Sequence, residues 1–258
     1  MEVSLHNISK SFKQKDNSTL NIFSEINLTV NNGQLISLIG PSGCGKSTLL
    51  NIIAGIEVQD KGDIYIDKSL EANRLGVCGY LQQKDLLLPW RNILDNVILG
   101  SELKGENKKE SLYKAKKYLD RFGLKGFEYE YPHNLSGGMR QRASFLRTLL
   151  ADQKLFLLDE PFSALDSLNR SKMQDWLLNI KKELDKTIIL VTHDIDEAIL
   201  LSDKIYVMSN IPAQIILTEN INYPRVNTTT MLSDDNYFKT KKNIMDALSS
   251  LENWIWLI

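Results

Sequence analysis

Gly40-Pro41-Ser42-Gly43-Cys44-Gly45-Lys46-Ser47-Thr48 has the G-x-x-x-x-G-K-[ST] form of a loop that wraps backbone N–H groups around a nucleotide's phosphates. The apolar run Leu35-Ile36-Ser37-Leu38-Ile39 leads directly into it, and the helix-like Leu49-Leu50-Asn51-Ile52-Ile53-Ala54 leads out. Strand, glycine loop and helix in that order decide the fold. A buried strand of an α/β sheet delivers the loop, and the helix N-terminus adds positive potential to it. Glycines permit the tight turn and the close approach of backbone to phosphate. On this reading Lys46 reaches the terminal phosphates and the Ser47 hydroxyl lies on Mg²⁺.

The rest of the composition is compatible with such a domain. At 258 residues, 43 % hydrophobic and 24 % charged, the chain can form one large α/β domain or two closely joined lobes. Lys+Arg number 31 against 32 Asp+Glu, a formal net charge of -1, so no basic field argues for nucleic acid and none is expected as a partner. Two cysteines, Cys44 and Cys78, make no disulfide framework and suit a reducing cytosol. Cys44, inside the loop, is expected to react with bulky thiol reagents. No apolar run approaches the roughly 20 residues that span a bilayer, so work at a membrane would need another chain to cross it. Without internal repeats, one nucleotide motif set per chain is expected.

Upstream of the loop, residues 2 to 39 alternate short apolar runs with polar turns and predict antiparallel strands. Phe12 falls among them. Periodicity makes it a core phenylalanine, whereas its position before the loop suits an aromatic face on which an adenine stacks. Downstream, Lys61 to Asp67 and Leu75 to Gln83 read as strands. Residues 84 to about 151 change to helical periodicity (Leu112, Ala115, Leu119, Phe122) punctuated by Gly105, Gly123 and Gly126, which predicts a helical lobe inserted between core strands. Leu155 to Leu158 and Thr187 to Val191 are short apolar runs of the buried parallel type. Lys204 to Met208 and Gln214 to Leu217 read as a closing pair. From Ser233, the residues Tyr237, Phe238, Ile244, Met245, Leu248 and Leu251 predict an amphipathic C-terminal helix that packs on the body.

Two further stretches carry chemistry. Asp159-Glu160 ends the strand Leu155 to Leu158, and a buried strand ending in two carboxylates places charge where a metal or a reaction can use it. Asp159 would hold Mg²⁺ and Glu160 would polarise an attacking water. Leu135-Ser136-Gly137-Gly138-Met139-Arg140-Gln141-Arg142 opens a second helix with free N–H groups and a hydroxyl, a second anion site. One nucleotide does not need two such helix ends. A dimer resolves this, with the Ser136 site of one chain covering the phosphate held by Lys46 of the other.

These motifs, with Leu157-Leu158-Asp159-Glu160-Pro161, Ser163-Ala164-Leu165-Asp166 and Val191-Thr192-His193-Asp194, resemble the nucleotide-binding subunit of ATP-binding cassette (ABC) transporters over roughly residues 3 to 217. The resemblance implies a P-loop NTPase of ABC type: an α/β fold whose mixed sheet core carries an N-terminal antiparallel β part and an inserted α-helical subdomain. It divides the chain into an ATPase domain, 1–220, with the helical subdomain at about 84–151, and an extension, 221–258. It further implies ATP and Mg²⁺ as ligands. Gln83, rather than its neighbour Gln82, would sense the γ-phosphate and join the metal site with Ser47 and Asp159. His193 would be the switch histidine, Asp166 would contact the opposite subunit, and Phe12 would be the adenine platform. Asp159 to Asp166 is similar to importer ATPases. Leu87-Leu88-Pro89-Trp90-Arg91-Asn92 with His193 to Ala198 is similar to the branch that energises uptake of nitrate, sulfonates and taurine.

The implied partners are a transmembrane permease, a second ATPase subunit (a homodimer) and, indirectly, an extracytoplasmic solute-binding protein, with the chain peripheral on the cytoplasmic face of the membrane. An ABC exporter subunit and a non-transport ABC nucleotide switch are the alternatives. Trp90 reads either as a lobe-core residue or as part of a groove for a permease helix. Met139 departs from the glutamine of many relatives, and Arg147-Thr148 interrupts the commoner Ala-Arg-Ala. Tyr223-Pro224-Arg225 resembles the Pro-Arg segment of the branch. The ending Asn253 to Ile258 has no counterpart in it.

Overall fold

Alternating burial makes β1 (Val3–Lys13) and β2 (Thr19–Val30) a long antiparallel pair, with Val3 facing Val30 and Lys13 facing Thr19. β4 (Lys61–Ile66) adds to the other edge of β1 and β5 (Ser69–Leu70) to β4, giving a four-stranded sheet of order β2-β1-β4-β5. These coordinates are a computed structural model and describe residues 1–71, 73–222 and 235–252. The N-terminal antiparallel part expected from the polar–apolar alternation is therefore present.

Among the described residues the second sheet has six strands. β3 (Leu35–Ile39) lies between β9 (Lys204–Met208) and β8 (Thr187–Val191), which is followed outward by β7 (Leu155–Asp159) and β6 (Cys78–Leu81); β10 (Ile215–Asn220) closes the other edge. All pairings are parallel except β9 with β10. In β3, β7 and β8 every residue is buried, as expected of strands covered on both faces, and their unbroken apolar runs follow from it. The strand anticipated over Leu75 to Gln83 is shorter, and Gln82 and Gln83 lie beyond its end. That geometry puts the C-terminal ends of β3, β6, β7 and β8 along one edge of the sheet, where α/β proteins place their sites.

Helices occupy the stretch between β6 and β7. They are α2 (Ile93–Val97), α3 (Leu99–Leu103), α4 (Lys108–Arg121) and α5 (Gly137–Leu150), and α1 (Lys46–Ile53) precedes them under the phosphate loop. Side chains start three of them: Asn92 accepts from the Asp95 amide, Asn107 from Lys109 and Glu110, and Ser136 from Met139. Gly123, at φ 63°, lets the chain leave α4.

An aromatic cluster joins these helices to the sheet. Phe145 on α5 lies 6.1 Å from Phe122, 5.5 Å from Trp176 of α6 (Ser167–Leu184) and 6.2 Å from Phe162, ring centre to ring centre. Phe162 follows Glu160 by two residues, so packing between helices and sheet reaches the chemistry directly. Phe145→Ala is expected to lower stability by about 3–5 kcal/mol, measured by urea unfolding, because the cavity opens at the junction.

α7 (Ile195–Leu201) starts at the Asp194 cap, and α8 (Asp235–Glu252) packs on it. Tyr237 and Ile244 are buried with Ile39, Ala198, Ile205 and Val207, and the Tyr237 hydroxyl donates to Asp196 at 2.6 Å. Of the apolar stripe anticipated for this helix, Phe238 and Met245 face outward instead, about a quarter turn from the packed line. Ser233, Tyr223-Pro224-Arg225 and Asn253 to Ile258 lie outside the described residues.

Candidate functional site

Four strand ends build the site. β3 delivers Gly40 to Thr48, β6 delivers Gln83, β7 delivers Asp159-Glu160 and β8 delivers Thr192-His193. The loop turns into α1 at Gly45, which sits at φ 103°; a Cβ there would approach Ile22 Cγ2 to 2.5 Å, so β2 packs where only a glycine fits. Lys46 is 7 % exposed, and its Nζ donates to the carbonyls of Gly40 and Pro41 at 2.8 Å each. An ammonium held across the loop keeps positive charge in the concavity that the backbone amides make. Ser42, Gly43, Gly45, Lys46, Ser47 and Thr48 line an open cleft of about 270 Å³ together with Gln83, Glu160 and Val191.

Glu160 is the hub of the residues that the other strand ends bring to the cleft. Gln83 Nε2 donates to Glu160 Oε2 at 3.3 Å, and His193 Nδ1 lies 3.4 Å from Glu160 Oε1. The Glu160 backbone is left-handed at φ 48°, a strained conformation for a side-chain-bearing residue. Its amide donates to Val191 O at 2.9 Å and its carbonyl accepts from the Ser163 hydroxyl at 3.0 Å, which hold the turn. His193 is 64 % exposed at the side chain and free to meet a ligand from the open side.

Asp159 is 4 % exposed. Burial pushes its carboxyl above the usual range; a hydrogen bond from the Ser47 hydroxyl opposes this, the charge of Glu160 adds to it, and Lys46 opposes it. A serine hydroxyl on a buried carboxylate at the mouth of a phosphate loop is an all-oxygen donor set for a hard cation. These residues fit Mg²⁺. Among the described residues no cluster of three or more His, Cys, Asp or Glu side chains is poised to hold a metal. A cation on Ser47 and Asp159 would have room in its shell for phosphate and water oxygens.

Other anticipated residues do not line the cleft. Ser136 and Gly137 are exposed at the start of α5 and do not line it. Asp166 caps α6, accepting from the Asn169 amide at 3.0 Å, and likewise does not line the cleft. Phe12, 39 % exposed on β1, is not a core residue, because its strand face is solvent-accessible at that end. Trp90, 71 % exposed, is not a lobe-core residue either. Cys44 is corrected as a target of thiol reagents. It is 2 % exposed, and burial pushes its thiol up despite the nearby Lys46, so little reactive thiolate is present.

Some contacts had no readable signal. Three α5 side chains grip the segment after Gln83: Arg140 Nε donates to Asp85 Oδ2 at 3.0 Å, Ser144 to Asp85 O at 2.7 Å, and Arg147 to Leu86 O and Asp85 O at 2.7 and 2.8 Å. Arg147, a mere departure from pattern in the sequence, is thus an anchor. Gln174 of α6 donates to the buried Glu197 at 2.9 Å, and the Thr192 hydroxyl also bonds that carboxylate, bracing the turn that carries His193. Spacing does not reveal such pairs, because the partners meet only after three elements have packed.

The phosphate loop on β3, flanked by a carboxylate pair on β7 and a histidine on β8, defines a P-loop nucleoside triphosphatase. The sequence profile of the ABC transporter family matches residues 23–163. The chain is 42 % identical over 231 residues to the aliphatic sulfonates import ATP-binding protein SsuB of Bacillus thuringiensis subsp. konkukian, covering 89 % of this chain and 90 % of that protein. It is 42 % identical to the taurine import ATP-binding protein TauB of Yersinia pestis bv. Antiqua over 77 % of this chain and 78 % of that one. Among solved structures, the dimeric post-hydrolysis state of an ATP-binding cassette bound to ADP and Pi superimposes with a TM-score of 0.79 at 29 % identity, covering 86 % of this chain and all (100 %) of that one. The chain belongs to the ABC transporter family, as the motif order had implied. It is an ATP-binding, ATP-hydrolysing subunit.

Proposed function

We propose that this subunit energises the uptake of a small polar organic solute through a separate membrane permease. Two copies would sandwich two ATP, each site combining Lys46, Ser47, Gln83, Asp159, Glu160 and His193 of one chain with Ser136, Gly137 and Gly138 of the other. The observation that carries this reading is the convergence of Gln83 and His193 on the Glu160 carboxylate, 3.3 and 3.4 Å away, in the cleft that Lys46 also lines. A base so placed can orient water against a phosphate lying on the loop.

Phe12 would stack on the adenine and the loop from Gly40 to Thr48 would bind the phosphates. Mg²⁺ on Ser47, Asp159 and Gln83 would supply charge neutralisation to the phosphate oxygens. Asp166, exposed at the start of α6, faces outward and suits a contact with the second chain. ATP favours the closed pair because it offers contacts to both halves, and hydrolysis removes them. The exposed Leu86 and Trp90, beside the Asp85 anchor, suit a groove for a permease helix. Division into an ATPase domain (1–220), an inserted helical lobe (about 84–151) and an extension (221–258) is part of this reading.

Relatives named for sulfonate and taurine import support uptake over export. No helix among the described residues is long and apolar enough to cross a membrane, so the chain would sit peripherally on the cytoplasmic face through its permease. Co-purification with a multi-span membrane protein, and stimulation of ATPase in reconstituted vesicles by a solute-binding protein, test this reading. A permease without such stimulation would indicate an exporter. Full activity with no membrane partner would indicate a nucleotide switch.

A further inference from the structure

Lys10 is a buried cation outside the phosphate cleft. It is 8 % exposed, and its Nζ is held by Val58 O at 2.7 Å, Glu57 Oε1 at 2.7 Å and Asp60 Oδ1 at 3.5 Å. Burial works against its charge, but the hydrogen bonds and charges of Glu57 and Asp60 outweigh that and raise its pKa. Asp60 itself accepts from the Ser11 amide at 2.7 Å and the Ser11 hydroxyl at 2.6 Å, and its amide donates to Ser9 O at 2.9 Å. The segment after α1 is thereby tied to β1 at three successive residues.

The fixed ammonium also meets an aromatic ring. Lys10 Nζ lies 4.9 Å from the centroid of Phe12, within cation–π range. Residues two apart on a strand share a face, which brings the two side chains together. The β1–β2 register slips between Ile8 and Lys10 and again between Lys10 and Ser11, and such irregularities re-aim side chains next to sites. Phenylalanine has no polar atom with which to anchor itself, and Phe12 is 39 % exposed.

We propose that Lys10, held by Glu57, Val58 and Asp60, is a positioning residue that fixes the Phe12 ring as a one-sided platform for the adenine of ATP. The ammonium takes one face of the ring and leaves the other for the base. Glu57 to Asp60 lie in the connection that leaves α1, the helix that begins at Lys46, so the anchors of the base end are joined through one helix to the phosphate loop. This rests on Phe12 being the adenine contact, and the test separates the two.

The experiment compares ATP with inorganic tripolyphosphate, which has phosphates and no base, by titration calorimetry, alongside steady-state ATPase. Phe12→Ala is expected to weaken ATP binding about tenfold and tripolyphosphate binding not at all, in line with the loss of one stacked base. Lys10→Met should weaken ATP about five- to tenfold and spare tripolyphosphate, raising KM while kcat holds, as for a contact made equally in ground and transition states. Lys10→Arg should restore most of the affinity. In the Phe12→Ala background Lys10→Met should add less than about twofold, since both act through one ring.

If Lys10→Met does not fold, Asp60→Asn, which loosens one anchor, is expected to weaken ATP about two- to threefold with tripolyphosphate unchanged. Equal losses for ATP and tripolyphosphate, or additive effects with Phe12→Ala, would overturn the proposal, as would ATP affinity unchanged in both Lys10→Met and Asp60→Asn. Unchanged ATP affinity in Phe12→Ala would instead overturn the reading of Phe12 itself.

Discussion

Glu160→Gln is expected to bind ATP with near-native affinity, lose about 10²- to 10⁴-fold in kcat, and accumulate as a dimer that elutes at twice the subunit mass when ATP and Mg²⁺ are present. Glutamine keeps the size of the side chain and tolerates the φ 48° backbone as well as glutamate does. It can still bond Gln83 across 3.3 Å. What it lacks is the ability to take a proton or to polarise water, so the chemical step stalls with the closed state populated. Removing one negative charge beside Asp159 also favours the anionic nucleotide. Single-turnover kinetics and size exclusion check both halves. Turnover at the wild-type rate would remove Glu160 from its role.

Lys46→Ala is expected to weaken ATP binding by about ten- to a hundredfold or more, the worth of one or more charge-assisted hydrogen bonds to phosphate. The loss has two sources. The ammonium is the buried positive charge of the cleft, and its bonds to Gly40 O and Pro41 O brace the loop. Tripolyphosphate binding should fall with ATP binding, unlike the case of Lys10. An unchanged ATP dissociation constant would mean that the phosphate loop has another function.

These two residues are legible in the sequence because their chemistry is local. Lys46 sits in a loop whose conformation is written by glycines within a few residues, and Glu160 ends an apolar strand that could only be buried. The helical stretch was legible for a similar reason, since the period of Leu112, Ala115 and Leu119 belongs to one helix. Outcomes differed where a residue's setting depends on a distant neighbour. Phe12 reads as core by periodicity and as an adenine platform by position, Trp90 as lobe core or as part of a groove, and the packing of their neighbours left both exposed. Cys44 looked reactive in its loop and is buried against the core that β2 and β3 enclose.

The amino-acid sequence by itself determined the phosphate loop, the order of strand-end chemistry and membership of the ABC transporter family, because each rests on short-range geometry or on motif order. The tertiary structure alone decided that Gln83 and His193 meet on Glu160, that Arg140 and Arg147 grip the segment after Gln83, and that Lys10 lies against Phe12. Residues from β6, β7 and β8 come together only when parallel strands align in register, and the direction of a long side chain is chosen by the partner it finds. Spacing puts Lys10 and Phe12 on one strand face, but it does not encode the Glu57, Val58 and Asp60 anchors that fix the ammonium there.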